Sequence, residues 1–479
     1  MRNVIVIMSD EHDPRHMGCS GSPVVKTPAL DTLAAQSVRF TQAYTPSPIC
    51  VPARAAFATG RWVHQLRLWD NAMPYTGEPN GWGHMLQQAG VRVESIGKLH
   101  YRDSADPTGF DAEHIPMHVA GGHGMVWGSI RAPYYQRPDG GRMLGAHIGE
   151  GESPYTQYDE SVTRQACEWL HDAAQRGEDF VLYVGLVAPH FPLVVAPQYF
   201  RHYAEQSLPA PKLHPNDGHM RHPWVQAQHD FMPNEDQFAS AEERHAAFAA
   251  YYGLCTWLDH NVGQILQALT QAGLDDNTTV IYTSDHGDNL GARGMWGKST
   301  LYQESVAVPM LLRAPGLSPG VCDTPVSLVD LHPTILHAAG LPAHSPTTTL
   351  PSTSLQTLAQ APTDAERPVL SEYHAVGSNS AGFMLRQGRW KYHHYVGHAP
   401  ELFDLYADPQ ELHDLASDTQ HQTTRQAMET RLREILDPEA TDALAKQDQR
   451  DLIRRVGGLE VAKTMGAKAA TPAPTASTR

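Results

Sequence analysis

Asn3-Val4-Ile5-Val6-Ile7-Met8, followed at once by Ser9-Asp10-Glu11-His12, is an apolar run that stops in four polar side chains. A strand buried on both faces of a parallel sheet has this composition, since neither face meets water. In open α/β sheets ligands gather past the carboxyl ends of the strands, which is where Asp10 falls. The arrangement recurs down the chain. A strand over 91–96 runs into Gly97-Lys98-Leu99-His100, one over 180–187 into Ala188-Pro189-His190, and one over 278–283 into Ser284-Asp285-His286-Gly287. Helical spacing fills the intervals. Leu30, Leu33, Ala34 and Val38 follow Thr27-Pro28, a helix is expected over 82–89, Ala166, Trp169, Leu170 and Ala173 share one face of 163–174, and a long helix spans 246–269. Alternating helices and apolar strands, with the polar groups after the strands, predict an α/β fold on a mostly parallel sheet.

The chain has 479 residues, 41% of them hydrophobic, which is enough for a large core. No apolar run reaches the ~18 residues that a membrane-spanning helix needs, so no membrane is expected as a partner. Charged residues make up only 18%, which excludes a long disordered polyelectrolyte, and a net charge of −16 argues against nucleic acid. A small anionic substrate stays open, because a pocket can be locally cationic inside an acidic protein. Cys19, Cys50, Cys167, Cys255 and Cys322 are scattered, odd in number and lack a CxxC pair. Neither a disulfide framework nor a cysteine-rich zinc site is expected. The first strand is preceded by nothing that reads as a leader, and a cytoplasmic location fits best.

The α/β unit is expected over 1–365. The stretch 342–368, rich in Pro, Thr, Ser and Ala, reads as a linker or surface crossing. Strands at 369–373, 382–386 and 390–395 and a helix over 424–436 predict a small C-terminal α+β subdomain over 366–446. Residues 447–479 form a tail in which Leu452, Ile453, Val456, Leu459, Val461 and Met465 present more apolar surface than water tolerates.

The densest signal is Cys50-Val51-Pro52-Ala53-Arg54, continued through Ala55-Ala56-Phe57-Ala58 to Thr59-Gly60-Arg61. It has the form C-x-P-x-R-x-x-x-x-T-G-R, on a helix just after a polar turn. Alone, Cys50 would read as a small buried apolar residue. It is joined by Asp10, Gly97-Lys98-Leu99-His100, Ala188-Pro189-His190-Phe191-Pro192, and Ser284-Asp285-His286-Gly287-Asp288 with Gly291, Gly294, Trp296, Gly297 and Lys298. Pro400-Glu401-Leu402-Phe403-Asp404-Leu405 and Asp408-Pro409-Gln410-Glu411 follow. In this order the segments resemble the type I sulfatases of the alkaline-phosphatase superfamily. Asp285-His286, where calcium-type arylsulfatases have Asn in second place, resembles the choline-sulfatase and phosphonate-monoester-hydrolase branch. Asp10-Glu11 stands where many members carry two aspartates.

The resemblance implies an alkaline-phosphatase-like sheet sandwiched by helices, a smaller C-terminal antiparallel-sheet domain and an extended tail. It implies hydrolysis of a small sulfate monoester to an alcohol and inorganic sulfate. Cys50 would be oxidised to formylglycine by a formylglycine-generating enzyme, and one hydroxyl of its hydrate would attack sulfur. Asp10, Asp285 and His286 would hold one divalent metal, Mn²⁺ or Ca²⁺ ahead of Zn²⁺, the nitrogen ligand moving preference away from Ca²⁺. Arg54 and Lys98 would stabilise the hydrate and the anionic oxygens. His190 or Lys298 would protonate the leaving alcohol, and His100 would deprotonate the second hydroxyl. Asn71, His190 and Lys298 would touch the substrate. Trp69 is read as core, and Glu11 as turned away from the metal. His12, His16, His123 and His393-His394 are read as surface or structural.

The nearest rival is a phosphonate monoester or phosphodiester hydrolase with the same nucleophile. His100 favours the sulfatase, since phosphonate-hydrolase relatives tend to carry Thr there. A non-catalytic anion-binding protein follows if Cys50 stays a thiol. A phosphatase-like transferase with a Ser or Thr nucleophile has no residue to carry it in the motif. The apolar tail is expected to be an arm crossing to a neighbour in a homodimer or homotetramer, as in the branch it resembles, with packing on its own chain as the plain alternative.

Overall fold

All eight residues of β1 (Asn3–Asp10) are buried, and the strand lies inside an eight-stranded sheet. The computed structural model describes residues 2–131, 143–342, 351–468 and 470–474. The other strands of this sheet are β2 (Val38–Phe40), β3 (Arg92–Lys98), β4 (Ala112–Met117), β5 (Phe180–Pro189), β6 (Thr278–Ser284), β7 (Met310–Arg313) and β8 (Gly320–Cys322). Their order is β8-β2-β7-β6-β1-β5-β3-β4. Only β7 runs antiparallel to its neighbours among these described strands.

Successive side chains of a strand point to opposite faces, so an apolar run serves two helical layers. Ile5 and Ile7 pack with α1 (Pro28–Ala35), α4 (Pro154–Arg176) and α5 (Ala241–Gln271). Val4, Val6 and Met8 pack with α2 (Cys50–Thr59), α3 (Trp82–Gln88), α6 (Leu331–Ala338) and α7 (Leu355–Gln360). The mostly parallel sheet sandwiched by helices is thus the observed architecture.

Register places the polar strand ends at one level. Ser9 pairs with Ser284, so Asp285 lies beside Asp10, and Asp10 pairs with Pro189, so His190 follows directly. Gly97 pairs with Gly185, and a Cβ on Gly97 would fall 2.2 Å from the Gly185 carbonyl oxygen. Only glycine permits this approach, after which Lys98 and His100 follow at the same edge.

A second, antiparallel sheet follows the order β9 (Val369–Tyr373), β10 (Gly382–Gln387), β11 (Trp390–Tyr395) and β12 (Glu401–Asp404). Met428 and Leu432 of α8 (Gln422–Ile435) pack on it. This sheet braces the segment that leads into α2. The Glu372 amide donates to the Pro46 carbonyl at 2.9 Å, and the Ser47 hydroxyl donates to the Glu372 carbonyl at 2.7 Å. The Glu372 carboxylate pairs with His64 Nδ1 at 2.7 Å.

Several sequence expectations shift. Val38, counted with the first helix, lies in β2, because the helix ends at Ala35 and the Ser37 hydroxyl closes its last turn on the Leu33 carbonyl. Helix α4 begins at Pro154, nine residues before the expected start, capped by Ser153. Part of the expected linker, 343–350, lies outside the described residues. The rest is not a free crossing, since Leu355 of α7 is fully buried against α6. β12 is a fourth strand where only a motif was read. The expected boundary at 446/447 falls inside α9 (Pro438–Arg455). Leu452, Ile453, Val456 and Met465 pack on Val126, Trp127 and Ile130 of the same chain. Of the histidines read as surface or structural, His12 and His393 are structural, buried and hydrogen-bonded to Tyr282 and Glu401.

Burial opposes the charge on Glu372, but His64 and His374 hold its carboxyl down at about 2, against a usual 4.5. Burial also opposes charge on His64, yet Glu372 raises it above its usual 6.5. A depressed acid stabilises the fold above its unfolded value and ceases to as pH falls through the folded one; a raised base does the reverse. The pair's contribution, on the order of 3 kcal/mol, is therefore full between about pH 4.5 and 6.5. It fades towards pH 2 and as pH rises through the raised value of His64. Thermal melts of Glu372→Gln across pH are expected to lose both limbs, and a profile parallel to wild type refutes the pairing.

Candidate active site

Cys50 is the first residue of α2, a ten-residue helix buried along its whole length, and is 1% exposed. The helix N-terminus aims a partial positive charge at the strand ends. The Asn71 side-chain oxygen accepts from the Val51 amide at 3.1 Å and fixes this first turn. Gly60, at φ 69°, ends the helix in the left-handed conformation.

Four ligand atoms converge on the thiol side. Asp10, Cys50, Asp285 and His286 each offer one, all within 4.8 Å of one another. Cys50 Sγ lies 3.2 Å from His286 Nε2 and 3.9 Å from Asp10 Oδ1. His286 Nε2 is 3.8 Å from Asp10 Oδ1 and 3.7 Å from Asp285 Oδ1. The other carboxylate oxygens face away, towards cations. Arg54 Nη2 meets Asp10 Oδ2 at 3.1 Å, Arg54 Nε meets Asp285 Oδ2 at 2.9 Å, and Lys98 Nζ meets Asp10 Oδ2 at 2.5 Å. Arg54 also donates to the Lys98 carbonyl and to the Tyr183 hydroxyl, both at 2.9 Å. Two carboxylates and an imidazole nitrogen turned to one point form a donor set that fits a divalent cation.

The opposite side of Cys50 carries the protons. Lys298 Nζ lies 3.2 Å from Cys50 Sγ and 2.8 Å from His190 Nε2. His190 Nδ1 lies 2.6 Å from the Phe191 carbonyl, so Nδ1 carries hydrogen and Nε2 accepts from Lys298. Burial, with Lys298 beside it, holds His190 well below its usual range and therefore neutral. Burial opposes charge on Lys298 too, but Cys50, Glu11, Asp10 and Asp285 keep it raised. His100, at φ 61°, is held well below its usual range by burial and then Lys98. Its Nε2 lies 2.7 Å from Thr471 Oγ1, while its Nδ1 is buried with no hydrogen-bond partner.

Burial opposes charge on Asp10, but Lys98, with His190, Lys298 and Arg54, holds its carboxyl well below the usual range. Burial pushes the Glu11 carboxyl well above that range. Glu11 has φ 70° and two buried oxygens with no hydrogen-bond partner. It stands 3.6 Å from His190 and 3.8 Å from Lys298, outside the group around Cys50. Burial pushes the unmodified Cys50 thiol up as well.

Every residue named for the site from the sequence lies at this sheet edge, all buried except the partly exposed Lys298, and Cys50, Asn71, Lys98, His100, His190 and Lys298 line one cavity. Trp69 stays out of it, buried and bonded to Asp448. Sequence reasoning missed Asp159, whose carboxylate accepts from the Val187 and Ala188 amides at 2.8 Å each and so fixes the turn before His190. Burial pushes Asp159 up to about 7. An acid on the buried stripe of α4 was the available signal, but the expected helix began beyond it. Nor did any motif mark Trp127, Tyr155 or Thr471, which wall the cavity.

A family model described as sulfatase matches residues 2–341, and one described as N-sulphoglucosamine sulphohydrolase, C-terminal, matches 291–437. A choline-sulfatase of Rhizobium meliloti (strain 1021) is 29% identical over 93% of this chain and 89% of its own. Arylsulfatase K of Bos taurus is 30% identical over 94% of this chain and 85% of its own. The phosphonate monoester hydrolase of Agrobacterium radiobacter has the same fold, with TM-score 0.72 at 23% identity over 91% of this chain and 95% of that one. The sulfatase match spans well over half of the sequence, so the chain belongs to the type I sulfatases of the alkaline-phosphatase superfamily and is a sulfuric ester hydrolase.

Proposed function

We propose that the protein hydrolyses a small sulfate monoester with formylglycine at position 50 and one divalent metal. The observation that carries this reading is the position of Cys50 Sγ, 3.2 Å from both Lys298 Nζ and His286 Nε2 at the start of a buried helix. That sulfur stands in for the hydrate oxygens of a formylglycine, the nucleophile the family uses. Asp10, Asp285 and His286 would hold the metal, which when bound would acidify a hydroxyl and polarise an S–O bond. The mixed oxygen and nitrogen donors favour Mn²⁺, with Ca²⁺ next and Zn²⁺ behind.

The chain's own groups divide the remaining work. Arg54 and Lys98 neutralise Asp10 and Asp285 from behind and keep the Oδ1 atoms turned forward. Lys298 carries the proton for the leaving alcohol, and neutral His190 receives a hydrogen bond from it and holds it in place. Neutral His100 has a lone pair with which to take the proton of the second hydroxyl. Asn71 sets the height of Cys50 through the Val51 amide and lines the substrate cavity. His100, rather than the Thr of phosphonate-hydrolase relatives, favours sulfate over phosphonate esters. Five unpaired cysteines suit a cytoplasmic setting, where a formylglycine-generating enzyme would mature Cys50. We read the assembly as a homodimer or homotetramer, although the described tail packs on its own chain.

Cys50→Ala is expected to abolish sulfate ester turnover while keeping the wild-type melting temperature, since Ala suits a helix. Near wild-type turnover refutes the nucleophile. Asp285→Asn should cut bound metal per chain by at least tenfold in elemental analysis, and full occupancy refutes the site as drawn. Lys298→Met should slow esters of weakly acidic alcohols by about 10²–10⁴ and nitrophenyl esters far less. Equal losses on both place the acid elsewhere.

A further inference from the structure

The cavity beside Cys50 has two unlike halves. Charged groups crowd the end that would hold the sulfate. The rest is walled by Met125, Trp127, Tyr155, Phe191, Met232 and Trp296. Of its described polar groups, Asp70, Tyr155 and Thr471 are already committed within the protein. Asp70, the one carboxylate among the described lining residues, accepts from the Ala72 amide at 2.9 Å, Ser129 Oγ at 2.7 Å and Gln449 Nε2 at 2.8 Å. The Tyr155 hydroxyl donates to the Thr471 carbonyl at 2.5 Å, and the Thr471 hydroxyl is paired with His100. The Asn71 oxygen is held by α2.

Deepening the reaction class just given, and resting on it, we propose that the alcohol part of the ester is uncharged and apolar, an aromatic or branched aliphatic alcohol. A sugar would bring several hydroxyls to a wall with few partners to offer, and each would lose water without replacement. A quaternary ammonium meets a different obstacle. The face of Phe191 already carries the Lys298 ammonium at 5.5 Å, and Trp127 is stacked by Phe231 at 6.3 Å. The resident Lys298 ammonium over Phe191 repels a second cation brought to the same wall. Methionines adapt their shape to an apolar guest at little cost.

Described residues of the tail wall one side of the same cavity. Ala470 and Thr471 line it, Trp127 Nε1 donates to the Ala467 carbonyl at 2.7 Å, and Thr471 is 5% exposed. With Cys50 1% exposed beneath them, the alcohol must be compact.

Calorimetry on the Cys50→Ala protein with Mn²⁺ measures intact esters without turnover. Phenyl sulfate is expected to bind at least tenfold more tightly than glucosamine 6-sulfate or choline sulfate. Val376→Asp, which sets an acid on the apolar wall away from the reacting groups, should lower phenyl sulfate affinity about tenfold and raise that of choline sulfate. Equal or tighter binding of the sugar or choline ester overturns the proposal, as does the absence of any ranking. The wild-type protein, assayed on the phenyl and choline esters of both sulfate and methylphosphonate, separates the two layers of the argument. Ranking by alcohol tests the apolar pocket, and ranking by acid tests the sulfatase reading. Faster phosphonate turnover with phenyl still ahead of choline would end that reading and leave the pocket standing.

Discussion

The site depends on one buried ionic knot. Asp10 and Asp285 are fully buried, and Arg54 and Lys98 are 1% exposed beside them. Charges taken out of water to this degree persist only when paired and hydrogen-bonded in good geometry. Arg54 meets that condition with a planar fork that reaches both carboxylates, a backbone carbonyl and a tyrosine hydroxyl. A lysine there would be a point charge and could not span them. The knot also orients: with each Oδ2 engaged from behind, each Oδ1 faces the imidazole of His286. Stability and chemistry therefore rest on the same four side chains.

The fold imposes this meeting through strand register. Positions 10, 98, 190 and 285 are remote in sequence, yet each lies at or just past the end of a parallel strand, and pairing sets those ends level. Cys50 arrives from a helix instead, and the small antiparallel sheet steadies its approach by gripping Pro46 and Ser47 through Glu372. The C-terminal region thus takes part in placing Cys50.

Much of this was legible in the sequence because it is local. An apolar run such as 4–8, a polar group after it, and the spacing from Cys50 to Arg61 need no tertiary information. What escaped was set by distant partners. Asp159 acquires its role only when α4 lies across the end of β5. Val38 has helical spacing, yet the sheet edge claims it once Ser37 closes the helix. Leu355 sits in a polar stretch that reads as a loop, and the groove beside α6 makes it core. Of the tail's apolar residues, Leu452, Ile453, Val456 and Met465 are partly buried against the same chain while Leu459 and Val461 stay exposed, a division that composition does not show.

The central claim is that Cys50 works as formylglycine, and the mass of the tryptic peptide 40–54 tests it most directly. After co-expression with a formylglycine-generating enzyme, the peptide is predicted to be ~18 Da lighter than its thiol form, by replacement of CH₂SH with CHO. Sulfate ester turnover should rise in proportion to the converted fraction. A fully active preparation whose peptide keeps the unmodified thiol mass would contradict the account.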